Sequence, residues 1–277
     1  MRVDIKVLGP LEVSVAGASV VPTANKPSQL LAMLALNAGH VVTISTLLEE
    51  IWGSCPPRSA VPTLHTYVLQ LRKKIQQALE AGGHRSPRDV LITRRCGYVL
   101  DVAPDDVDAT RYLELSSQGH EAADREDHQE AAAKLAAALR LWRGQAFADI
   151  AAGSQLRLET TRLEEIRLSD LDLRIETDLR LGRHHQLIGE LATLCARYPL
   201  HEHFYSLYML ALYRAGRQGQ ALEAYQRVRT LTVANLGVDP SPPLRRLQRA
   251  ILRGDPAVED PNFTTSAAWR QPTSLAG

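Results

Sequence analysis

Between Pro57 and Gly82 the apolar residues Val61, Leu64, Val68, Leu71, Ile75, Ala78 and Leu79 step by three and four. That spacing predicts one long amphipathic helix with a single buried stripe. Ser59 is a candidate N-cap, and Pro62 falls in the first turn, where its missing N–H does no harm. At about 100° per residue, the opposite face carries Thr63, Thr66, Gln70, Lys73, Lys74 and Gln77, with His65 and Arg72 nearer the stripe's boundary. Gly82-Gly83 end the helix. Two short strands follow, Val90 to Thr93 and Tyr98 to Leu100, joined by the basic tip Arg94-Arg95-Cys96-Gly97. A helix with a polar, cationic outer face followed at once by a basic hairpin is compatible with few folds.

The upstream elements narrow the choice. Val3, Ile5 and Val7, then Leu11, Val13 and Val15, alternate with polar neighbours and are punctuated by Gly9-Pro10 and Gly17, which reads as two strands. Val20 and Val21 suggest a third. A helix is expected from Gln29 to Asn37, and a second from Ile44 to Trp52 with Thr43 as its cap and Gly53 as its stop. Glu49 and Glu50 are expected on that helix's exposed side. The order of strands, three helices and a hairpin is that of a winged helix-turn-helix with an extra N-terminal sheet, the third helix being the reader and the hairpin the wing.

From Val107 onward strand signals stop. Helical segments are expected at about 107–126, 128–142, 155–181, 184–197, 201–215 and 218–235, with a last one from Leu244 to Leu252. Tyr205, Gly216, Ala221 and Tyr225 partly match a tetratricopeptide repeat. Paired helices burying each other's faces point to a helical solenoid. After Gly254 periodicity disappears, and a flexible tail is expected. The fold class is therefore mainly α with a small β part: residues 1–103 a winged helix-turn-helix, 104–253 helical repeats and 254–277 a tail.

Charge separates the same segments. The 277 residues carry a net charge of +1, yet residues 58–95 hold eight basic and two acidic side chains. Such a concentration suits a polyanionic partner, although a solvated face would look the same. Cys55, Cys96 and Cys195 lie far apart, which argues against a disulfide framework or a CxxC zinc site. His184-His185 and His201 with His203 lack neighbours at known metal-ligand spacings. No phosphate-binding loop, nucleophile elbow or zinc-protease motif is present, so neither catalysis, cofactor nor metal is expected. The longest apolar run, Leu30 to Leu36, is too short to cross a bilayer, and no secretory signal is visible at the start, so a cytoplasmic location is expected.

A DNA-reading role has a physical basis on the third helix. Gln70 can pair with adenine, and Thr63 or Thr66 can touch a thymine methyl or donate to a base acceptor. Arg72, Lys73 and Lys74 lie where phosphates flank the groove, and Arg94 or Arg95 can enter the adjacent minor groove. The same residues also describe the solvated face of an ordinary amphipathic helix. A helical-repeat interaction scaffold, or a repressor with the same DNA-binding parts, are the rival readings.

The chain resembles the Streptomyces antibiotic regulatory protein family. The resemblance rests on Leu8-Gly9-Pro10-Leu11-Glu12-Val13, Asn37-Ala38-Gly39-His40-Val41-Val42, Leu47-Leu48-Glu49-Glu50-Ile51-Trp52-Gly53, Thr63-Leu64-His65-Thr66-Tyr67-Val68-Leu69-Gln70-Leu71-Arg72-Lys73 and Gly97-Tyr98. Ala138-Leu139-Arg140-Leu141-Trp142-Arg143-Gly144, Leu210-Ala211-Leu212-Tyr213-Arg214-Ala215-Gly216-Arg217 and Leu236-Gly237-Val238-Asp239-Pro240 extend it. It implies an OmpR-type winged helix followed by an all-α, tetratricopeptide-like bacterial transcriptional activation domain. It further implies a homodimer on direct repeats of double-stranded DNA near the promoter −35 region, recruiting RNA polymerase holoenzyme through its principal sigma factor for secondary-metabolite genes, without catalysis. The DNA-binding residues it implies are Lys26, Thr63, His65, Thr66, Tyr67, Gln70, Arg72, Lys73, Lys74, Arg94 and Arg95. Where members often carry a basic residue two positions after the lysine, this chain has Ser28.

Overall fold

The computed structural model describes residues 3–80, 86–261 and 263. They form two compact units, one from the described part of 1–117 with 136–169, the other from 118–135 and the described part of 170–277. No described helix is long and apolar enough to cross a membrane.

The first unit begins with the antiparallel sheet β1 (Val3–Lys6), β2 (Glu12–Val15) and β3 (Ala18–Ser19). Val3 pairs with Val15 and Ile5 with Val13, so alternate apolar side chains face one core. The third strand comes slightly earlier than Val20-Val21, which are not part of it. Polar groups from later residues bind the loop between β1 and β2. The Asp108 carboxylate accepts from the N–H groups of Val7 at 2.8 Å and Leu8 at 3.2 Å, and Asp149 accepts from that of Leu11 at 2.7 Å. The Arg143 N–H donates to the Leu8 carbonyl at 2.8 Å.

Helix α1 (Asn25–Leu36) starts four residues before Gln29. Pro27 and polar neighbours hide the start from a periodicity reading, but a first turn needs no N–H from proline. Strand β4 (Val42–Thr43) leads into α2 (Ile44–Trp52), capped by Thr43, whose hydroxyl accepts from the Thr46 N–H at 3.2 Å. Helix α3 (Ala60–Leu79) buries Leu64, Val68, Leu71, Ile75, Ala78 and Leu79. Val61 departs from that stripe and is 39% exposed. Ser59 precedes the helix without a side-chain cap bond, and its carbonyl instead accepts from Thr63. The expected Gly82-Gly83 stop lies outside the described residues.

A single helical turn, α4 (Pro87–Val90), comes before the wing and takes Val90 out of the expected strand. Ser86 and Asp89 form its capping box. The wing strands β5 (Leu91–Arg94) and β6 (Gly97–Leu100) pair with Arg94 opposite Gly97, and β4 adds to β6 to give the order β4-β6-β5. A Cβ on Gly97 would lie 2.0 Å from the Val42 carbonyl oxygen, so only glycine lets these backbones approach.

Glu50 corrects the expectation of an exposed acidic side on α2. It is 2% exposed. Its carboxylate accepts from the N–H groups of Gly153, Gln155 and Leu156, at the start of α7 (Ser154–Arg180). Glu49 remains exposed, as expected.

Helices α5 (Asp108–Asp124) and α6 (His128–Leu139) complete the first half of the helical region. In the first unit, Tyr112 meets Trp142 edge to face at 5.4 Å, and the Arg167 guanidinium lies 4.5 Å over the Trp142 ring. Trp142 is buried, whereas Trp52 is only partly so. In the second unit, α8 (His184–Arg197), α9 (Glu202–Arg214), α10 (Gln218–Leu236) and α11 (Pro242–Arg253) follow one another with short turns. Helix α9 packs against α8, α10 and α11 and buries Phe204, Tyr205, Leu207 and Met209 to Leu212. Tyr205, Ala221 and Tyr225, the repeat-like residues, are buried. His203 sits between Asp172 at 4.0 Å and Glu176 at 3.3 Å, while His184 and His185 lie against each other. Cys195 is buried, which pushes its thiol up to about 12. Beyond α11 the chain is still packed: Val258 is buried, and Arg214 donates to the carbonyls of Val258 and Phe263 at 3.1 and 3.4 Å. The rest of the expected tail, with Trp269, lies outside the described residues.

Candidate DNA-binding surface

The surface is built on α3 because α3 buries one stripe and leaves the other side open. The exposed residues are Val61, Pro62, His65, Thr66, Leu69, Gln70, Lys73, Gln76 and Gln77. Thr63 and Lys74 are half-buried at the edges of this face. The apolar stripe and the polar face read from the sequence both omit Leu69, yet it is 62% exposed in the middle of the open face. Its offsets of three from Thr66 and four from His65 are the signal that could have found it.

The threonines are more constrained than their sequence suggests. The Thr66 hydroxyl donates to the Pro62 carbonyl at 3.1 Å, and that of Thr63 to the Ser59 carbonyl at 2.7 Å. With each proton bonded within the helix, what Thr66 offers outward is a methyl group and oxygen lone pairs.

Two expected site residues are drawn into the framework. Arg72 is half-buried and donates to the Leu91 carbonyl through Nε at 3.2 Å and Nη2 at 2.7 Å, and to Thr93 Oγ1 at 2.8 Å. It therefore braces the wing against the helix. Burial lowers its pKa from the usual guanidinium value, and the nearby Tyr98 works against that. Tyr67 is half-buried and stacks on Trp52 at 6.2 Å with the rings 9° apart. On Trp52 also rests Lys26, its Nζ 5.0 Å from the ring centroid. The Lys26–Trp52–Tyr67 series presents the Lys26 ammonium at the start of α1. Ser28 points inward: it is buried, and its hydroxyl donates to the carbonyls of Pro22 at 2.8 Å and Ala24 at 3.0 Å.

Of the remaining cations, Lys26, Lys73, Arg94 and Arg95 are exposed and Lys74 is half-buried. Arg94 and Arg95 stand at the wing tip with Cys96. Among the described residues, no carboxylate pairs with Lys26, Lys73, Lys74, Arg94 or Arg95. Elsewhere arginines such as Arg162 and Arg174 are paired with Glu159 and Asp178. Cations left without internal partners suit phosphate, whose charge they neutralise with release of counterions. The surface thus offers polar side chains on a helix that fits a major groove, flanked by cations suited to the strands on either side.

The chain is similar to known proteins along nearly its whole length. Residues 18–100 match the family model described as "Transcriptional regulatory protein, C terminal", and residues 107–252 that of the "Bacterial transcriptional activator domain". The chain is 47% identical to regulatory protein DnrI of Streptomyces peucetius over 92% of its length and 94% of the relative's. It is 37% identical to transcriptional regulator RedD of Streptomyces coelicolor, over 99% of its length and 76% of that protein's. The structure of Mycobacterium tuberculosis EmbR in complex with a low-affinity phosphopeptide superposes with a TM-score of 0.83 at 33% identity, over 96% of this chain and 69% of that one. With both domains present in order and such relatives matched along nearly its whole length, the chain belongs to the Streptomyces antibiotic regulatory protein family of DNA-binding transcriptional activators.

Proposed function

We propose that this protein is a pathway-specific activator of secondary-metabolite genes that binds direct repeats near the promoter −35 region as a homodimer. Residues 1–103 read the DNA, and residues 104–253 pair protomers and recruit RNA polymerase holoenzyme through its principal sigma factor. It acts in the cytoplasm and uses no catalytic chemistry. The observation that carries the reading is the open face of α3, with Thr66, Gln70 and Lys73 exposed and unpaired cations on the wing tip. Gln70 pairs with adenine, His65 and Thr66 flank it, and Lys26, Lys73, Lys74, Arg94 and Arg95 hold phosphates or the minor groove. Two readers facing the same way favour repeats about 10–10.5 base pairs apart, or a multiple of that spacing.

The test is to bind the purified protein to fragments of its own genome and sequence the bound pool, with the Thr66→Ala/Gln70→Ala double variant alongside. Direct repeats near promoters, enriched by the wild type and lost with the variant, support the proposal. Salt-sensitive binding without a motif overturns the reader assignment and favours an interaction scaffold.

A further inference from the structure

We propose that Leu69 is a specificity-determining residue that reads the C5-methyl group of a thymine in the major groove. The inference rests on the DNA-reading role proposed for α3 and adds a contact to it. Leu69 is among the most exposed large apolar side chains described, at 62%, although it belongs to a helix that buries seven other apolar residues.

Its surroundings distinguish the occupant. The neighbours on the same face are His65, Thr66, Gln70 and Lys73, all exposed. An apolar side chain that docks on another protein sits in a patch of its own kind. The adjacent turns around Leu69 instead carry hydrogen-bonding and cationic groups, with the unpaired Lys73 one turn on and the next exposed apolar side chain of the helix, Val61, two turns back. That charge suits a polyanion, and the major groove of DNA is a polyanion whose floor has one apolar feature, the thymine methyl. Thr66 reinforces the match: its hydroxyl proton is bonded to the Pro62 carbonyl, so it too presents a methyl group. Gln70, adjacent in sequence, is suited to adenine. Together these residues specify an A·T-containing step, and Leu69 adds what Gln70 cannot, the distinction between thymine and a pyrimidine lacking the methyl.

The experiment separates this inference from the reading beneath it. The full-length protein selects a site from a random duplex pool. Each thymine of that site is then replaced in turn by deoxyuridine, which keeps the base pairing and removes only the methyl. For the wild type, substitution at one thymine per half-site should weaken binding about four-fold, the ratio expected from burying one methyl group. Leu69→Ala should bind the thymine and deoxyuridine duplexes equally at that position. Leu69 is exposed and alanine favours a helix, so the variant keeps its fold, as circular dichroism will verify. If no deoxyuridine weakens the wild type, or if Leu69→Ala discriminates as well as the wild type does, the assignment of Leu69 is overturned while the reader helix stands. If the wild type selects no motif at all, the DNA-reading role itself fails.

Discussion

Glu50→Ala tests how the start of α7 is held. Glu50 lies 103 to 106 residues from its partners and is 2% exposed. One carboxylate oxygen takes the Gly153 N–H, and the other takes those of Gln155 at 2.9 Å and Leu156 at 3.3 Å. These are among the first donors of the helix, which have no partner within it. Losing a cap costs about 0.5–2 kcal/mol, and a carboxylate against the positive end of a partly buried helix contributes up to about 2 kcal/mol. Relief of the cost of burying the charge offsets part of this, so a net loss of about 3 kcal/mol is expected. With a urea m-value near 3 kcal/mol/M, the midpoint falls by about 1 M. Tryptophan fluorescence is the readout, since Trp52 and Trp142 both report on the first unit. Glu50→Gln keeps the shape and one acceptor oxygen and should lose about half as much. Glu49→Ala is the control, because Glu49 is exposed and makes only a 3.4 Å contact with Ser154; it should change stability by less than about 0.5 kcal/mol. If Glu50→Ala unfolds at the same urea concentration as Glu49→Ala, the capping argument is wrong.

Other expected outcomes follow from single contacts. Gly97→Ala places a methyl group 2.0 Å from the Val42 carbonyl oxygen, so β4 and β6 must separate; a loss of about 1–3 kcal/mol and weaker DNA binding should be seen in thermal melts and binding isotherms. Burial, opposed by His203 and helped by Glu176, pushes the Asp172 carboxyl up to about 7, and His203 is itself raised by Glu176 and Asp172 against the effect of burial. Both groups hold protons more tightly folded than unfolded, so the second unit loses stability as pH rises from about 4 through 7 and beyond. Between pH 6 and 8 Asp172 alone should remove about 1–2 kcal/mol, and Asp172→Asn should flatten that slope in urea titrations at the two pH values. If Lys26, Lys73, Lys74, Arg94 and Arg95 each neutralise one phosphate, log K falls with log salt at a slope of about −4 to −5 per protomer. Lys73→Ala should reduce it by about 1 on specific and random DNA alike; an unchanged slope would remove Lys73 from the phosphate contacts.

Much of the architecture is legible along the chain because its causes are local. Thr43 caps α2 with its own hydroxyl, and the residues it caps are the next three. The stripe from Leu64 to Leu79 and the short strands on either side of Arg95-Cys96 are written in spacings of a few residues. The same is true of α8, whose limits at His184 and Arg197 coincide with the periodic segment. Backbone hydrogen bonding and side-chain direction repeat with short periods, so a window of a dozen residues contains the information.

What a window cannot contain is a partner from elsewhere. Glu50 reads as a solvated charge because the N–H groups that donate to it belong to Gly153, Gln155 and Leu156. Arg72 reads as a phosphate ligand because the Leu91 carbonyl and Thr93 hydroxyl it braces are 19 and 21 residues away. Ser28 turns inward to the Pro22 and Ala24 carbonyls, and Leu69 turns outward into a polar face. A charge is stable in the interior only where donors or counter-charges converge on it. Periodicity and capping chemistry specify the helices and the wing, while the identity of the side chains left free to meet DNA is set by which distant groups the folded chain brings to the others.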